Sequence, residues 1–381
     1  AAQAHCQRQE PDGHTRLTHG ETLVALHTDA STSPHAKAFW QHTGLGASSR
    51  QAAVALRRES APAPATAEAA RTAVRQRLAA IHGIEAHRIS LHPAGMAGLH
   101  AALSAIQSLK PNRPTLQLGF PYVDVLKQPQ VVFHGGELLQ GNNLEELKDA
   151  LERRDPAAVI VELPSNPLLR CVDLPAVAEL AHRHGIPVIA DDTIGTGLNL
   201  RALPHVDLIF TSLTKSFAGR GDVMAGSLLV SPHSPWSDQL LTAISPVARL
   251  ADGDAIALEE ASRDVDQRVP QLDANALALA ERLERHPAVA RVQHPKDCPH
   301  FLALMRPDGG HGCLLSLELK QGEAKASRVY DALRVCKGPS LGTSFTLACP
   351  YTQLAHYDEL GWAAECLSLI HISEPTRPNE I

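Results

Sequence analysis

Thr211-Ser212-Leu213-Thr214-Lys215-Ser216-Phe217 is the most informative stretch of the chain. The apolar run 208–210 leads into it, which predicts a buried strand that delivers a lysine flanked by hydroxyl side chains. Upstream, the mostly apolar run 186–190 ends at Asp191. Because open α/β sheets bind ligands beyond the carboxyl ends of their strands, we expect Lys215 and Asp191 to face a common site.

These residue types suit one cofactor, pyridoxal 5'-phosphate (PLP). Lys215 can form a Schiff base, and the hydroxyls of Ser212 and Thr214 can hydrogen-bond phosphate oxygens. Asp191 can keep a pyridine nitrogen protonated, so that the ring withdraws electrons. Taken singly, a lysine after a strand is usually a solvated loop residue, and a strand-end aspartate is usually a turn or a cap. The hypothesis therefore depends on the combination with flanking motifs.

Three flanking motifs could complete such a site. Gly95 and Met96 open a predicted helix, where backbone amides and the helix dipole favour a phosphate. Phe120 and Tyr122 offer aromatic rings that could stack on a pyridine ring, although either could instead be a core aromatic. Asn166 offers an amide to a ligand hydroxyl, but Ser-Asn-Pro is also an ordinary turn.

The composition indicates a globular protein with a large core, since 44% of its 381 residues are hydrophobic and 20% are charged. A net charge of −6 gives no reason to expect a nucleic acid or an acidic membrane as partner. The seven cysteines are scattered, without a C-x-x-C pair, which favours a reducing compartment and neither zinc nor a disulfide framework. No H-E-x-x-H motif, long apolar run or signal peptide is visible, so we expect a cytoplasmic protein without a metal site.

The order of apolar and helical segments predicts three regions. The polar sequence of residues 1–60 indicates an arm with short helices. The pattern of residues 236–366 indicates a smaller α+β domain. Between them, residues 61–235 alternate between short apolar runs and helical segments, which predicts βαβ units and a large, mostly parallel sheet. The expected strands of this region are 115–119, 130–134, 158–161, 187–190, 208–210 and 227–230. In the smaller domain we expect helix over 255–283, interrupted at Pro270, a strand over 313–319 and a helix over 323–333.

Longer motifs resemble a known family. The stretches V-E-L-P-S-N-P-L-L-R (161–170), I-A-D-D-T (189–193), T-S-L-T-K (211–215) and G-D-V-M-A-G (221–226) resemble the Cys/Met-metabolism PLP enzymes. These are the trans-sulfuration enzymes, which have the aspartate-aminotransferase fold, fold type I. The resemblance covers roughly residues 85–366. Within the family, G-F-P-Y-V-D (119–124), D-D-T-I-G (191–195) and F-T-L-A-C-P-Y-T (345–352) look most like the cystathionine γ-synthase branch of fungi.

The resemblance implies that Lys215 is the catalytic residue, which carries the cofactor and later moves protons. It also implies a homodimer or homotetramer, in which Arg50 reaches the phosphate of the neighbouring subunit. Either Phe120 or Tyr122 would stack on the ring. The implied cofactor-binding residues are Arg50, Gly95, Met96, Phe120, Tyr122, Asn166, Asp191, Thr193, Ser212, Thr214 and Lys215.

The C-terminus departs from the family pattern. After Cys366 the family continues to a strand with an arginine that binds the substrate α-carboxylate. Residues 367–381 instead resemble translated sequencing-adapter read-through, so we expect a non-native tail. Arg377 stands in the wrong context, and we assign it no role.

The resemblance implies γ-replacement on small amino-acid substrates: cystathionine synthesis from an activated homoserine ester and cysteine. Other reactions of the family stay open, namely those of a cystathionine lyase, a methionine γ-lyase or a homoserine-ester sulfhydrylase. A truncated chain that binds PLP without efficient turnover is a further alternative, because of the C-terminus. A nucleotide-binding protein is disfavoured, since neither a P-loop nor a G-x-G-x-x-G motif follows a strand.

Overall fold

The structure is a computed structural model that describes residues 1–20, 23–139, 144–244 and 248–351, and the backbone of 369–373. The N-terminal region contains short helices and an antiparallel hairpin: α1 (Ala2–Gln9), β1 (Thr15–His19), β2 (Val24–Thr28), α2 (Ser33–Thr43) and α3 (Ser49–Ala55). The hairpin was not expected, because the period-two apolar pattern of a strand is weak in its polar sequence.

A seven-stranded sheet forms the centre of the middle region. Its elements are α4 (Pro64–His82), β3 (Ile89–His92), α5 (Gly95–Leu109), β4 (Thr115–Leu118), α6 (Val123–Val132), β5 (Gly136–Leu139), α7 (Leu144–Arg154), β6 (Val159–Glu162), α8 (Leu174–Arg183), β7 (Val188–Asp191), α9 (Thr196–Asn199), β8 (Leu208–Ser212) and β9 (Gly226–Val230). The strand order is β3-β9-β8-β7-β6-β4-β5. β9 is antiparallel to both neighbours, and the strands from β8 to β5 pair in parallel. The predicted α/β class with a mostly parallel sheet is confirmed.

The sheet is buried on both faces, as its apolar strands require. Alternate residues of one strand enter different cores: Leu208 and Phe210 pack with α5, whereas Ile209 packs on the opposite face with α4, α8 and α11 residues. Fully burying each such side chain contributes roughly 1.5–3 kcal/mol. This burial holds the strand ends, which carry the polar motifs, in fixed positions.

The C-terminal region is a smaller α+β unit. Its elements are α10 (Ser237–Ala243), α11 (Asp252–Ala261), α12 (Val265–Glu284), β10 (Val289–Gln293), α13 (Pro299–Leu304), β11 (Leu314–Leu319), α14 (Gly322–Ala332), β12 (Cys336–Lys337), β13 (Leu347–Cys349) and β14 (Leu369–Ser373). The strand order is β10-β11-β14-β13-β12. β14 therefore lies between β11 and β13. This strand belongs to residues 367–381, which the sequence predicts to be a non-native tail, and that origin stays a prediction. Arg377 lies outside the described residues.

Two predictions of local structure are wrong. Residues 130–134 do not form a strand. The first three are the end of α6, because Gln128 anchors this helix by donating from Nε2 to the carbonyl oxygens of His42 (2.5 Å) and Met96 (3.1 Å). The long helical segment is also not broken at Pro270, which lies inside α12. The break falls at 262–264, where Asp264 accepts a hydrogen bond from Arg268 at 3.1 Å. In both helices, tertiary and capping contacts outweigh the local preference of proline and β-branched residues.

None of the helices in the described part of the chain combines the length and the apolarity that a bilayer crossing requires.

The start of α5 and the end of β8 approach each other unusually closely. A Cβ on Gly95 would lie 2.8 Å from the Cβ of Ser212. A Cβ on Gly226, the first residue of β9, would overlap the carbonyl oxygen of Ala94. Only glycine fits at these two positions, so the glycines set the distance between the helix and the strand end.

We predict that Gly226→Ala lowers the free energy of unfolding by about 1–3 kcal/mol, since the methyl group must displace backbone rather than a flexible side chain. Urea titration followed by circular dichroism measures this. Gly253→Ala is the matched control, because its Cβ would lie at an ordinary 3.4 Å from the Cβ of Arg50. Equal urea midpoints for the two variants would contradict the proposed close contact.

Candidate functional site

A cavity of about 480 Å³ lies beyond the carboxyl ends of β6, β7 and β8. This is where open α/β sheets bind their ligands. Its walls come from both the large sheet and the C-terminal unit. The predicted site residues that line it are Gly95, Met96, Tyr122, Asn166, Asp191, Thr193, Ser212, Thr214 and Lys215.

Lys215 follows β8 and projects toward the C-terminal unit. Its Nζ donates to Ser340 Oγ at 3.2 Å. Burial lowers the pKa of Lys215 below its usual value, and the nearby Asp191 carboxylate opposes this shift. Gly342 adopts a φ of 69°, and a Cβ at this position would overlap the backbone nitrogen of Ser216. Because glycine has no side chain, the segment that carries Ser340 can come close enough to contact Lys215. The region of the large sheet thus carries the Lys215 amine, and the C-terminal unit supplies its hydrogen-bond acceptor.

Asp191 and Glu162 are neighbours at the ends of two parallel strands, where they occupy the same register. Burial raises the pKa of Asp191 to about 6, against hydrogen bonds from Thr193 and the charge of Lys215. The pKa of Glu162 lies well above its usual range, first because of burial and then because of the Asp191 charge. Of the two, Asp191 is therefore the group that ionises more easily and can face a cation.

Glu162 holds two separate parts of the cavity wall. Its Oε1 accepts the backbone N–H of Tyr122 at 2.5 Å. Its carboxyl group also accepts the backbone N–H of Asn166. A single buried side chain thus sets the positions of the aromatic residue and of the amide predicted to contact a ligand.

Thr193 joins the ends of β7 and β8. Its hydroxyl oxygen accepts the Ser212 N–H at 2.8 Å, and its own N–H donates to Asp191 Oδ1 at 2.9 Å. Behind it, Asp192 accepts a hydrogen bond from the Thr211 hydroxyl at 2.5 Å. Burial raises the pKa of Asp192 to about 7. These bonds fix the Asp191 carboxyl and the Ser212 backbone relative to each other.

The N-terminus of α5 forms another wall. The amides of Gly95 and Met96 belong to the first turn, so they have no acceptor within the helix. The helix is 15 residues long, and its dipole adds positive potential at this end. The Ser212 hydroxyl lines the same cavity, and with the two amides this donor set suits an anion. The Thr214 hydroxyl also lines the cavity and donates to the Ala225 carbonyl oxygen at 3.3 Å.

The two aromatic candidates differ in position. Tyr122 lines the cavity and is 36% exposed. Phe120 is 5% exposed and is not part of the lining, because its side chain enters the protein interior two residues after the end of β4. Burial raises the pKa of Tyr122 above its usual value, and the charge of Asp124 and a hydrogen bond with it act in the same direction. The neutral phenol ring is the surface available for stacking.

Arg50 does not reach the cavity of its own chain. Its guanidinium donates to the Asp222 carbonyl oxygen at 2.9 Å and to Asp254 Oδ1 at 3.2 Å. These contacts hold it beside the glycine-rich turn. A role toward a neighbouring subunit stays a prediction.

Sequence reasoning missed several residues of the wall. Glu162 was part of a quoted motif but received no role, because its partners are backbone amides of distant segments. Cys349 and Tyr351 line the cavity from the C-terminal unit, and Ser340 contacts Lys215. The signal that could have found Ser340 is Gly342 shortly after it, since glycine often marks a close approach of backbone.

We predict that Thr193→Val lowers the free energy of unfolding by about 1–3 kcal/mol, because the Ser212 N–H loses its acceptor while the side-chain shape is kept. Thr193→Ser, which retains the hydroxyl, should stay close to wild type. Urea unfolding of the three proteins measures the difference. If valine and serine variants are equally stable, the hydrogen bond does not hold the strand ends together.

Comparisons with known proteins identify the relatives of this chain. A family model, the Cys/Met metabolism PLP-dependent enzyme, matches residues 66–358. Cystathionine gamma-synthase of Neurospora crassa is 38% identical over 294 residues, which cover 73% of this chain and 47% of that protein. L-2-amino-4-chloropent-4-enoate dechlorinase/desaturase of Streptantibioticus cattleyicolor is 35% identical over 342 residues, which cover 84% and 67%. The chain spans about half the length of the fungal relatives it matches.

A solved structure extends the likeness to the fold. Cystathionine gamma synthase from Xanthomonas oryzae pv. oryzae, in complex with aminoacrylate and cysteine, has a TM-score of 0.72 to this chain at 25% identity and 81% coverage of each chain. The family model spans most of the chain, including each strand end that lines the cavity. The chain belongs to the family of Cys/Met metabolism PLP-dependent enzymes.

Proposed function

We propose that the protein catalyses a PLP-dependent γ-replacement that joins an activated homoserine ester and cysteine into cystathionine. The observation that carries the proposal is the convergence of Lys215, Asp191 and the α5 N-terminus on one cavity. The likeness to fungal cystathionine gamma-synthases supports the choice of substrates.

The residues of the cavity fit PLP. The donors at the start of α5, with Ser212 and Thr214, suit its phosphate. Asn166 Oδ1 is buried and has no hydrogen-bond partner within the described residues, so the site holds a polar atom that a ligand could satisfy. The missing Cβ of Gly95 brings the helix amides against Ser212, which concentrates the anion donors in one place.

Each residue would have one role toward the cofactor. Gly95, Met96, Ser212 and Thr214 would hold the phosphate, Asp191 would pair with the ring nitrogen, Tyr122 would cover a ring face, and Asn166 would meet the ring hydroxyl. When bound, PLP supplies an electron-poor ring that accepts negative charge from the substrate α-carbon. Asp191 supports this chemistry because, with its pKa of about 6, it is largely ionised at neutral pH beside a cation.

Lys215 would hold the cofactor and move protons. Burial lowers the pKa of its amine, which increases the fraction that is neutral and able to act as nucleophile or base. Ser340 Oγ accepts from Nζ and so directs the amine into the cavity. The same nitrogen would take a proton from the substrate α-carbon and return it to a neighbouring carbon.

The same residues could serve another reaction of the family. A relative that is 35% identical is named for dechlorination and desaturation, so the shared fold does not restrict the leaving group to an ester. A lyase or a sulfhydrylase is therefore the second candidate.

We predict that purified protein incubated with PLP and then desalted keeps a visible absorption band, and that Lys215→Ala loses it. Lys215→Arg is the matched control, because it preserves the positive charge but cannot form the covalent link. Both variants should lose more than ~10³-fold in product formation if the lysine moves the proton. A band of unchanged intensity in Lys215→Ala would overturn the cofactor assignment.

Product analysis separates the candidate reactions. With an activated homoserine ester and cysteine, we expect cystathionine as the main product. Without cysteine we expect slow release of a 2-oxo acid and ammonia. Equal rates of 2-oxo acid formation with and without cysteine would favour a lyase, and preferential use of inorganic sulfide would favour a sulfhydrylase.

We predict that Glu162→Ala raises the dissociation constant of PLP about tenfold or more, because the N–H groups of Tyr122 and Asn166 lose their common acceptor. Glu162→Gln keeps one oxygen acceptor and should show a smaller increase. Equilibrium titration of cofactor-free protein with PLP measures both. An unchanged dissociation constant in the alanine variant would show that Glu162 does not position the wall.

A further inference from the structure

Two cysteines that are 127 positions apart lie in contact. The backbone N–H of Cys171 donates to Cys298 Sγ at 3.2 Å, and Cys298 Sγ lies 4.0 Å from the Cys171 carbonyl oxygen. The Cys298 sulfur atom therefore lies beside the backbone of Cys171. Both side chains are free thiols, and neither lines the cofactor cavity.

The surroundings make the two sulfur atoms unequal. Cys298 Sγ accepts backbone N–H groups of Cys171 and Phe301, and the positive charge of Arg170 is near. The hydrogen bond from the Cys171 thiol is the largest cause that lowers the pKa of Cys298 to about 5, whereas the same bond raises the pKa of Cys171 well above its usual value. Cys298 is therefore the thiol that ionises more readily, and its thiolate is the nucleophile of the pair.

The pair lies just below the surface. Cys298 is 2% exposed, but its neighbours Asp297, Pro299 and His300 are exposed. Cys298 directly precedes the short helix α13, at the end of a turn. The proposed reaction uses a local opening of this segment, which brings the sulfur atom to solvent.

We propose that Cys171 and Cys298 form a redox-active dithiol that small-molecule disulfides convert into an intramolecular disulfide. A thiolate with a thiol in contact is the arrangement that thiol–disulfide exchange requires, since the second sulfur resolves the mixed disulfide formed by the first. The site is separate from the proposed transfer reaction.

The exchange balances in two steps. The Cys298 thiolate attacks one sulfur of the small disulfide RSSR, which forms a Cys298–SR bond and expels RS⁻. RS⁻ takes the proton of the Cys171 thiol and leaves as RSH. The Cys171 thiolate then attacks Cys298 Sγ and expels the second RS⁻. Two electrons pass from the cysteine sulfurs to the reagent, which is reduced to one thiol, RSH, and one thiolate, RS⁻, that takes a proton from water.

The cross-link would join the loop after β6 to the segment that leads into α13. The two segments are already held by Arg170, which donates to the Asp297 carbonyl oxygen at 2.8 Å and to Gln293 Oε1 at 3.3 Å. These contacts keep the two segments side by side, with Cys171 and Cys298 next to each other. Since the closed loop is long, the oxidised chain should unfold at higher urea concentration than the reduced chain.

The test uses the full chain with Cys336→Ser, which removes an exposed cysteine that would react on its own. The protein is incubated with 2-hydroxyethyl disulfide, quenched by acid, alkylated under denaturing conditions and mapped by mass spectrometry. We expect a peptide pair linked through Cys171 and Cys298, the loss of two alkylatable thiols, and an increased urea midpoint that returns to the starting value after reduction.

Two variants test the assigned order of attack. In Cys171→Ser, Cys298 should stop as a mixed disulfide with one hydroxyethylthio group. In Cys298→Ser, Cys171 should stay a free thiol under the same conditions. The wild-type chain tests the proposal without either variant. If Cys336 has reacted completely with the small disulfide while Cys171 and Cys298 can both still be alkylated, the proposal is overturned. A first adduct on Cys171 would overturn the assigned order.

Discussion

The close approach of the α5 N-terminus to the end of β8 is the constraint on which the site depends. Gly95 and Gly226 remove the side chains that would otherwise separate the helix from the sheet. As a result, helix amides, strand-end hydroxyls and a lysine share one cavity wall. Any larger residue at these positions would move the helix away, and the amides and hydroxyls would no longer converge on the same anion.

Electrostatics supplies the second constraint. Asp191, Asp192 and Glu162 are three carboxyl groups at neighbouring strand ends, and burial raises the pKa of each. Such a cluster is unfavourable in a fold whose only requirement is stability. Here the hydroxyl groups of Thr193 and Thr211 and the backbone amides offset part of the penalty, and the Lys215 charge opposes it. The pattern is typical of a site prepared for a cationic ligand group.

Much of this organisation could be predicted from local sequence. The strands that end at Asp191 and Ser212 have short apolar runs, so their positions and the polar residues after them were evident. The β5 strand was missed because the run 130–134 contains β-branched residues typical of a strand, yet its first three residues end α6. Contacts that depend on distant segments, such as Glu162 with the Tyr122 amide, leave no mark in the local sequence. The choice between Phe120 and Tyr122 likewise required the side-chain directions at the end of β4.

The contact between Lys215 and Ser340 spans 125 positions of the chain, and the cavity wall extends to Tyr351. During synthesis on a ribosome, the strand that carries the lysine emerges long before the turn that receives it. The large sheet can form early, but the complete pocket exists only after the C-terminal unit has folded against it. Binding of the cofactor in its final geometry is thus a late step in the folding of each newly made chain. Until that step, the polar strand ends face water.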